Sequence, residues 1–190
     1  MTEFYIIRHG ETDYNKNGLI QGRINTPLNK NGILQAHELG RYFIDNGIRF
    51  DKIITSPLRR AYATGIIIDC ELGLGDCIIS DDLTERAFGP MEGKEVSDEA
   101  FRIINSDTID GIEKTSEIIK RSSNALIKLA KEYDGKKILI VSHSHVIKAL
   151  AYMIDKNKYS FSSPLYNCGM SIFKCDGKTI KLAVFNKKTI

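Results

Sequence analysis

Short runs of consecutive apolar residues recur along the chain. Runs rich in β-branched and aromatic side chains, with no polar alternation, are typical of strands buried on both faces of a sheet. The last two runs flank Asp176-Gly177, a strong signal for a tight antiparallel hairpin. The predicted strands are FYII (4–7), KIITS (52–56), DCIIS (76–80), KKILIVSHS (136–144), MSIFKC (170–175) and TIKLAVF (179–185).

Between these runs, apolar residues recur at helical spacing. After Asn29, a suitable N-cap, the apolar side chains of Ala36, Leu39 and Phe43 share one helix face. The section from residue 81 to residue 111 has no strong period, and we expect a loop with one short helix there. The predicted helices span residues 30–47, 57–73, 115–135 and 145–154.

The order of these elements predicts an α/β fold. Strands that alternate with helices indicate a mostly parallel sheet with helices on both faces, here ending in an antiparallel hairpin at one edge. The expected architecture is therefore a three-layer α/β/α sandwich. Because no linker, internal repeat or low-complexity segment interrupts the pattern, we expect a single domain over residues 1–190.

Composition and charge exclude several kinds of partner. The formal charge is +3, and the basic residues are spread along the chain. A nucleic-acid-binding surface requires a clustered basic stripe, so no nucleic-acid partner is expected. No stretch approaches the ~20 consecutive apolar residues of a membrane span, so no membrane partner is expected. A few well-placed arginines would still suit a small anionic ligand.

The cysteines indicate a reducing compartment. Cys70, Cys77, Cys168 and Cys175 contain no C-x-x-C pair and are too sparse for a disulfide scaffold. A strand is predicted within three residues of the amino terminus, which leaves no room for a secretory signal. We therefore interpret the cysteines as reduced, mostly buried thiols of a cytoplasmic protein.

Polar residues suited to catalysis or ligand binding follow several of the predicted strands. His9 follows the first strand and His143 follows the strand ILIVS, so parallel strands would bring both imidazoles to one edge of the sheet. The helix after KIITS carries Arg59 and Arg60 in its first turn, and Glu85 comes shortly after DCIIS. The sequence thus predicts a site with two histidines, two or three arginines and a carboxylate.

This set of groups favours phosphoryl transfer. A neutral imidazole is a nucleophile at physiological pH, and it forms a reactive phosphoramidate. The planar guanidinium of arginine binds phosphate oxygens in a bidentate manner and stabilises the charge of the transferring group. A protonated carboxylic acid donates a proton to the leaving oxygen.

Four segments, RHGETDYN, SPLRRAYAT, LTERAFGPMEG and VSHSHVI, resemble in that order the motifs of the histidine phosphatase superfamily, which has the phosphoglycerate mutase-like fold. The resemblance extends from residue 4 to about residue 175. It implies that His9 is the phosphorylated nucleophile and Glu85 the acid/base group. The implied phosphate ligands are Arg8, Asn15, Arg60 (rather than Arg59) and His143, the second histidine of the family, which also counts among the catalytic residues.

The chain departs from the family pattern after its second histidine. Ser144 and His145 occupy positions where the family commonly has glycines, and His145 would either crowd the site or add a polar contact there. Asn167 lies near an asparagine that the family carries late in the chain. The resemblance implies a small phosphorylated metabolite as the partner and no cofactor, and it leaves the oligomeric state open.

Three alternatives to a phosphatase are each supported less well by the sequence. Histidines at i and i+2 in HSH could bind a metal, but arginines repel cations and no acidic cluster accompanies them, so no metal is expected. A non-catalytic phosphate-binding domain would typically lack the nucleophile or a phosphate ligand. A mutase that uses a bisphosphate cofactor would need covering segments, and the 58 residues from Glu85 to His143 provide few. Lys94 and Arg102 are candidates for a carboxylate contact in such a mutase.

The leaving-group pocket is the part of the site for which the sequence gives the weakest signal. Phe88, Met91, Phe161 and Tyr166 are candidates to line it, although each also suits a core position. Phosphosugars, phosphoserine, ribazole phosphate and phosphoglycerates are the candidate substrates that the resemblance implies.

Overall fold

A computed structural model describes all 190 residues and shows one six-stranded sheet. The strands lie in the order β3-β2-β4-β1-β5-β6. The strand bounds are β1 (Thr2–Arg8), β2 (Lys52–Thr55), β3 (Cys77–Ile79), β4 (Lys137–Ser142), β5 (Met170–Cys175) and β6 (Ile180–Lys187).

The pairing of these strands has the predicted mixed character. β3, β2, β4 and β1 are parallel, whereas β5 pairs antiparallel with β1 and β6 pairs antiparallel with β5. The turn between β5 and β6 contains Gly177 with φ of +86°, a conformation that L side chains rarely adopt. The predicted antiparallel hairpin at the sheet edge is therefore confirmed.

Six α-helices accompany the sheet, and two 3₁₀ turns, at Asp81–Leu83 and Gly89–Met91, follow β3. The helix bounds are α1 (Asp13–Lys16), α2 (Lys30–Asp45), α3 (Arg59–Leu72), α4 (Asp98–Asn105), α5 (Thr115–Glu132) and α6 (Ser144–Ile154). The predicted N-cap of α2 is present, since the Asn29 side chain accepts a hydrogen bond from the Gly32 N–H.

Each face of the sheet packs against one pair of helices. On one face, Phe4, Ile6 and Ile140 pack with residues of α5 and α6 in the larger core. On the other face, alternate strand residues such as Ile7 and Val141 pack with α2 and α3. The three-layer α/β/α sandwich is thus confirmed, because successive side chains of a strand point to opposite faces.

The central section departs most from the sequence-based picture. The loop after β1 contains a short helix, α1, that was not predicted; Thr12 and Asn15 form its capping box. The predicted short helix of the section 81–111 is α4, which packs over a third, smaller core beside the carboxyl edge of the sheet. That core contains Ile20, Phe88, Ala100, Ile104 and Ile112.

None of the helices combines the length and the apolar character that crossing a membrane requires.

Candidate active site

The carboxyl ends of three neighbouring strands meet at the candidate site. Ser56 follows β2, His143 follows β4 and His9 follows β1, in the order in which these strands lie in the sheet. The imidazole rings of His9 and His143 have centroids 5.3 Å apart. The structure therefore brings the two histidines together, as parallel strands predict.

The hydrogen bonds of His9 define its tautomer. Nδ1 lies 2.7 Å from the carbonyl oxygen of Gly10, which can only accept, so Nδ1 carries the proton. Nε2 accepts from Nε–H of Arg60 at 3.1 Å. Burial, with Arg60 and Arg8 adding to it, lowers the pKa of His9 well below 6.5. His9 is therefore neutral at physiological pH, and the lone pair of its Nε2 accepts the hydrogen bond from Arg60.

Two guanidinium groups lie close enough for their charges to act on His9. Arg60, in the first turn of α3, is 1% exposed and also donates to the carbonyls of Ile24 and Gly22, each at 2.8 Å. Arg8, at the end of β1, donates through Nη1 to the carbonyl of Leu165, and its buried Nε has no partner. Neither arginine forms an ion pair with a carboxylate, so both charges are available to an anion.

The choice of Arg60 over Arg59 agrees with the geometry. Arg59 is the first residue of α3 and its side chain is exposed, whereas the next residue along the helix points inward to His9. Burial lowers the pKa of Arg60 to about 10, which still leaves the group charged at physiological pH.

Glu85 lies near Arg60, in a buried position that favours its protonated form. The side chain is 5% exposed, and burial raises its pKa. The backbone N–H groups of Arg86 and His145 donate to Oε1 at 2.9 and 3.2 Å and oppose part of that rise. These two bonds fix the carboxyl group at the start of α6. A carboxylic acid that is held in place and has a raised pKa is suited to donate a proton.

The side chain of Asn15 is oriented by its neighbours. Its Oδ1 accepts from the N–H of Thr12 at 3.2 Å and from Nδ2 of Asn167, also at 3.2 Å. Nδ2 of Asn167 in addition reaches the carbonyl of His9 at 3.0 Å. With Oδ1 occupied, Asn15 presents its NH₂ group to the cavity that it lines.

His143 is fully buried behind His9 and does not line the cavity. Its Nε2 lies 2.7 Å from Oγ of Ser56, and its Nδ1 has no partner. Burial, followed by the charge of Arg60, lowers its pKa well below 6.5. The idea that His143 supplies charge as an imidazolium therefore needs an anion close enough to reverse this shift.

A cavity of about 320 Å³ opens above His9, and it is large enough for a small metabolite. Arg8, Asn15, Arg60 and Glu85 also line it. One wall is apolar and comes from α4 and the loops beside it. Its apolar members are Leu19, Ile20, Phe88, Val96, Phe101 and Ile104.

Most of the expected pocket residues lie elsewhere. Of the four aromatic and methionine candidates only Phe88 lines the cavity. Phe161 packs beneath His145 in the core, and Tyr166 is half exposed away from the cavity. Met91 contacts the small core under α4. These positions depend on loop paths that hydrophobicity alone does not determine.

Lys94 and Arg102, which were candidates for a carboxylate contact, are both exposed and do not line the cavity. Sequence reasoning instead missed Lys148 and Gln21, which do line it. Lys148 lies three residues after His145 on α6, a spacing that places two side chains on one helix face. That spacing could have identified it.

Arg86 connects the loop of Glu85 to α4. Its guanidinium is fully buried and donates to the carbonyls of Glu113 and Ile104, at 2.6 and 3.0 Å. It also pairs with Asp107 at 2.9 Å. Because its own N–H donates to the Glu85 carboxyl group, one residue fixes both that carboxyl group and the helix that forms a wall of the cavity.

The structure contains no group of three or more histidine, cysteine, aspartate or glutamate side chains arranged to bind a metal ion. The HSH segment itself separates its histidines, since Nε2 of His143 lies against Ser56 and His145 packs edge-on against Phe88.

Acidification is expected to destabilise the fold through His9, His143 and His145. Burial, the largest cause, lowers the pKa of each, so the folded protein keeps them neutral while the unfolded chain protonates them. The unfolded state then binds more protons, and the free energy of unfolding falls as the pH drops below about 6.5. Urea unfolding at about pH 7.5 and about pH 5.5 should differ by about 1.4 kcal/mol in the free energy of unfolding for each histidine.

A His145→Phe variant provides the control, because Phe88 and Phe161 already surround this ring with aromatic contacts. The free energy of unfolding of this variant should depend less on pH, and the difference from the unmodified protein should equal the contribution of one histidine. A free energy of unfolding that does not change over this pH range would contradict the expectation.

Comparison with known proteins identifies the family. The model of the histidine phosphatase superfamily (branch 1) matches residues 4–188. An uncharacterized phosphatase of Bacillus subtilis, PhoE, is 38% identical over 150 residues, which cover 79% of this chain and 76% of the relative. A metal-independent phosphoserine phosphatase of Arabidopsis thaliana is 30% identical over 183 residues, covering 90% of this chain and 76% of the relative.

Solved structures show the same relationship. A phosphoserine phosphatase of Entamoeba histolytica in complex with phosphoserine has a TM-score of 0.80 and 28% identity, covering 98% of this chain and 97% of that one. A phosphoglycerate mutase of Bacillus anthracis has a TM-score of 0.85 at 21% identity, covering 97% and 92%, which shows the shared fold. With its motifs at these strand ends, the chain belongs to the histidine phosphatase superfamily, branch 1.

Proposed function

We propose that this protein hydrolyses small phosphomonoesters through a phosphohistidine on His9, with Glu85 as the proton donor. The observation that carries the proposal is the neutral His9, which lines the cavity and whose unprotonated Nε2 lies 3.1 Å from Nε of Arg60. A nucleophile beside two unpaired guanidinium groups has both parts that phosphoryl transfer requires.

In the first half-reaction, the phosphoryl group displaces the Arg60–His9 hydrogen bond, and Arg60 turns its Nε–H to a phosphoryl oxygen. Nε2 of His9 then forms a bond to phosphorus while the bond from phosphorus to the leaving oxygen breaks. Glu85 gives its proton to that oxygen, which leaves as an alcohol. The carbonyl of Gly10 continues to accept from Nδ1–H and thereby stabilises the phosphorylated ring.

In the second half-reaction, the ionised Glu85 accepts a proton from water as the water oxygen bonds to phosphorus. The bond from phosphorus to Nε2 breaks, which releases inorganic phosphate and restores neutral His9 and protonated Glu85. The NH₂ group of Asn15 and the two guanidinium groups bind phosphoryl oxygens in both steps. His143, held by Ser56, lies behind the phosphoryl site and becomes an additional donor when the anion favours its protonation.

We propose further that residues 1–190 form one domain and that catalysis requires no metal. The family match from residue 4 to residue 188 supports the first point. The second is supported by the lining of the cavity, which has three cationic side chains (Arg8, Arg60 and Lys148) and a single carboxyl group, Glu85. A cytoplasmic location is supported by four cysteines that are all free.

The decisive experiment measures phosphate release from a panel of phosphomonoesters in the presence of a chelator. The panel includes phosphoserine and 3-phosphoglycerate, ligands of the Entamoeba histolytica enzyme, together with sugar phosphates and p-nitrophenyl phosphate. Hydrolysis that is unchanged by the chelator is the expected result. Activity that disappears and returns with zinc or manganese would contradict metal-independent catalysis, and no turnover of any ester would favour a phosphate-binding domain.

The same panel separates a hydrolase from a mutase. With 3-phosphoglycerate and 2,3-bisphosphoglycerate both present, a mutase would form 2-phosphoglycerate faster than it releases phosphate. The likeness to the Bacillus anthracis mutase is one of fold, and α4 is the only α-helix between Glu85 and α5 that could cover the site. We therefore expect phosphate release to predominate.

A further inference from the structure

Lys148 is a buried cation in the wall of the cavity that the proposed chemistry does not use. It lies on α6, is 4% exposed and donates from Nζ to the carbonyl of Phe161 at 2.9 Å. Its ammonium group also lies 5.9 Å from the ring centroid of Phe101. No carboxylate pairs with it, so two of its three N–H donors have no protein partner. Burying a charge in this way is costly unless something neutralises it.

The charges around the cavity exceed what a phosphoryl group balances. Three cations line it, the buried Arg60 and Lys148 and the partly buried Arg8, and none has a carboxylate partner. A phosphomonoester dianion balances two of them. Glu85 is neutral when it acts as proton donor, so it balances none. One positive charge remains unbalanced, and we assign it to Lys148, the cation that lies on α6.

A second polar group accompanies Lys148 at this end. His145 is also 4% exposed and lines the cavity, and its Nδ1 has no hydrogen-bond partner. Its separation of three residues from Lys148 places both on the same face of α6. Ser144 and Ser163 line the cavity as well, whereas the facing wall is apolar. Donors concentrated at one end of a cavity indicate where a polar substituent would bind.

We propose that Lys148 and His145 bind a carboxylate on the leaving group, so that the substrates are phosphomonoesters of small carboxylic acids. This inference rests on the proposed function, because it concerns the same cavity. A carboxylate carries the single negative charge that Arg8 and Arg60 leave unbalanced, and it accepts from the free donors of Lys148. A second phosphoryl group would bring more negative charge than this end neutralises.

The test compares substrates that differ in the carboxylate alone. One pair is 3-phosphoglycerate and glycerol 3-phosphate, and the other is phosphoserine and phosphoethanolamine. In the unmodified enzyme, kcat/KM should favour the carboxylate member of each pair. Lys148→Met should reduce that preference by about 10- to 100-fold, the range of a hydrogen bond to a charged group, and Lys148→Arg should retain most of it. The ratio within one variant is independent of how much of the protein is folded.

A binding measurement separates this proposal from the proposed function. Calorimetry on a His9→Ala background compares 3-phosphoglycerate with glycerol 3-phosphate, with and without Lys148→Met. If no ester is hydrolysed but 3-phosphoglycerate binds more tightly than glycerol 3-phosphate and Lys148→Met removes the difference, the carboxylate subsite is supported and the hydrolase function is contradicted. If Lys148→Met weakens both members of each pair equally, Lys148 only ties α6 to the loop of Phe161, and the carboxylate subsite is overturned.

Discussion

A His9→Ala variant is expected to lose at least about 10⁴-fold in kcat/KM on every phosphomonoester, because covalent catalysis has no other nucleophile at this site. Nε2 of His9 is unprotonated, whereas His143 is fully buried behind it and directs its Nε2 to Ser56. Brief mixing of the unmodified enzyme with a labelled ester, followed by an alkaline quench, should leave label on the protein. That label should be lost in acid, as phosphoramidates are, and should be absent from the variant.

His37 offers a matched control, since it is a histidine of the same chain that lies on α2 and contacts Glu71 at 2.6 Å. It does not line the cavity, so a His37→Ala variant should be labelled and should turn over normally. Acid-labile label on a folded His9→Ala protein would show that another residue accepts the phosphoryl group, and the assignment of the nucleophile would be wrong.

Hydrophobic patterning was sufficient to predict the fold. The buried runs at β1 and β4 correspond to strands that lie side by side, and their lack of alternation follows from helices on both faces. Local signals such as Asn29 before α2 and the turn at Gly177 also marked real boundaries. The predicted fold class and the predicted family, a phosphatase enzyme of the histidine phosphatase superfamily, are confirmed.

The site was predictable to the extent that strand ends supply it. His9 and His143 follow neighbouring parallel strands, so their meeting is a consequence of the sheet, and the motif pattern singled out Arg60, which the structure places against His9. The structure brings the predicted residues close together. Their catalytic roles remain predictions that the variants test.

The leaving-group end was not predictable in the same way. It is formed by loops and by α4, whose positions depend on contacts between residues distant in sequence, such as the bonds of Arg86 to Ile104 and Glu113. No local pattern shows that Phe161 packs beneath His145 while Lys148 reaches the cavity. Reading helix spacing from His145 would have found Lys148, but only once His145 was known to lie at the site.

A Glu85→Gln variant is expected to lose about 10²- to 10⁴-fold in kcat on alkyl phosphates, the range of general acid catalysis, and much less on p-nitrophenyl phosphate. Alkoxides are poor leaving groups and need the proton, whereas nitrophenolate leaves without it. Glutamine is a close control for shape, because its amide oxygen still accepts from the N–H groups of Arg86 and His145. Steady-state rates on the two substrate types measure the difference.

The pH dependence gives an independent test of the same group. Burial raises the pKa of Glu85, so the unmodified enzyme holds its proton to a higher pH than an exposed carboxyl group, and kcat on alkyl phosphates should fall as the pH rises through that pKa. The lowered pKa of His9 keeps the nucleophile unprotonated on the acid side, so the active range extends into mildly acidic solution. Glu85→Gln should abolish the alkaline fall. An equal loss of kcat on alkyl and nitrophenyl esters, with the decrease of kcat at high pH retained, would contradict this role. Glu85 would then serve only to anchor the start of α6, and the proton would come from another group.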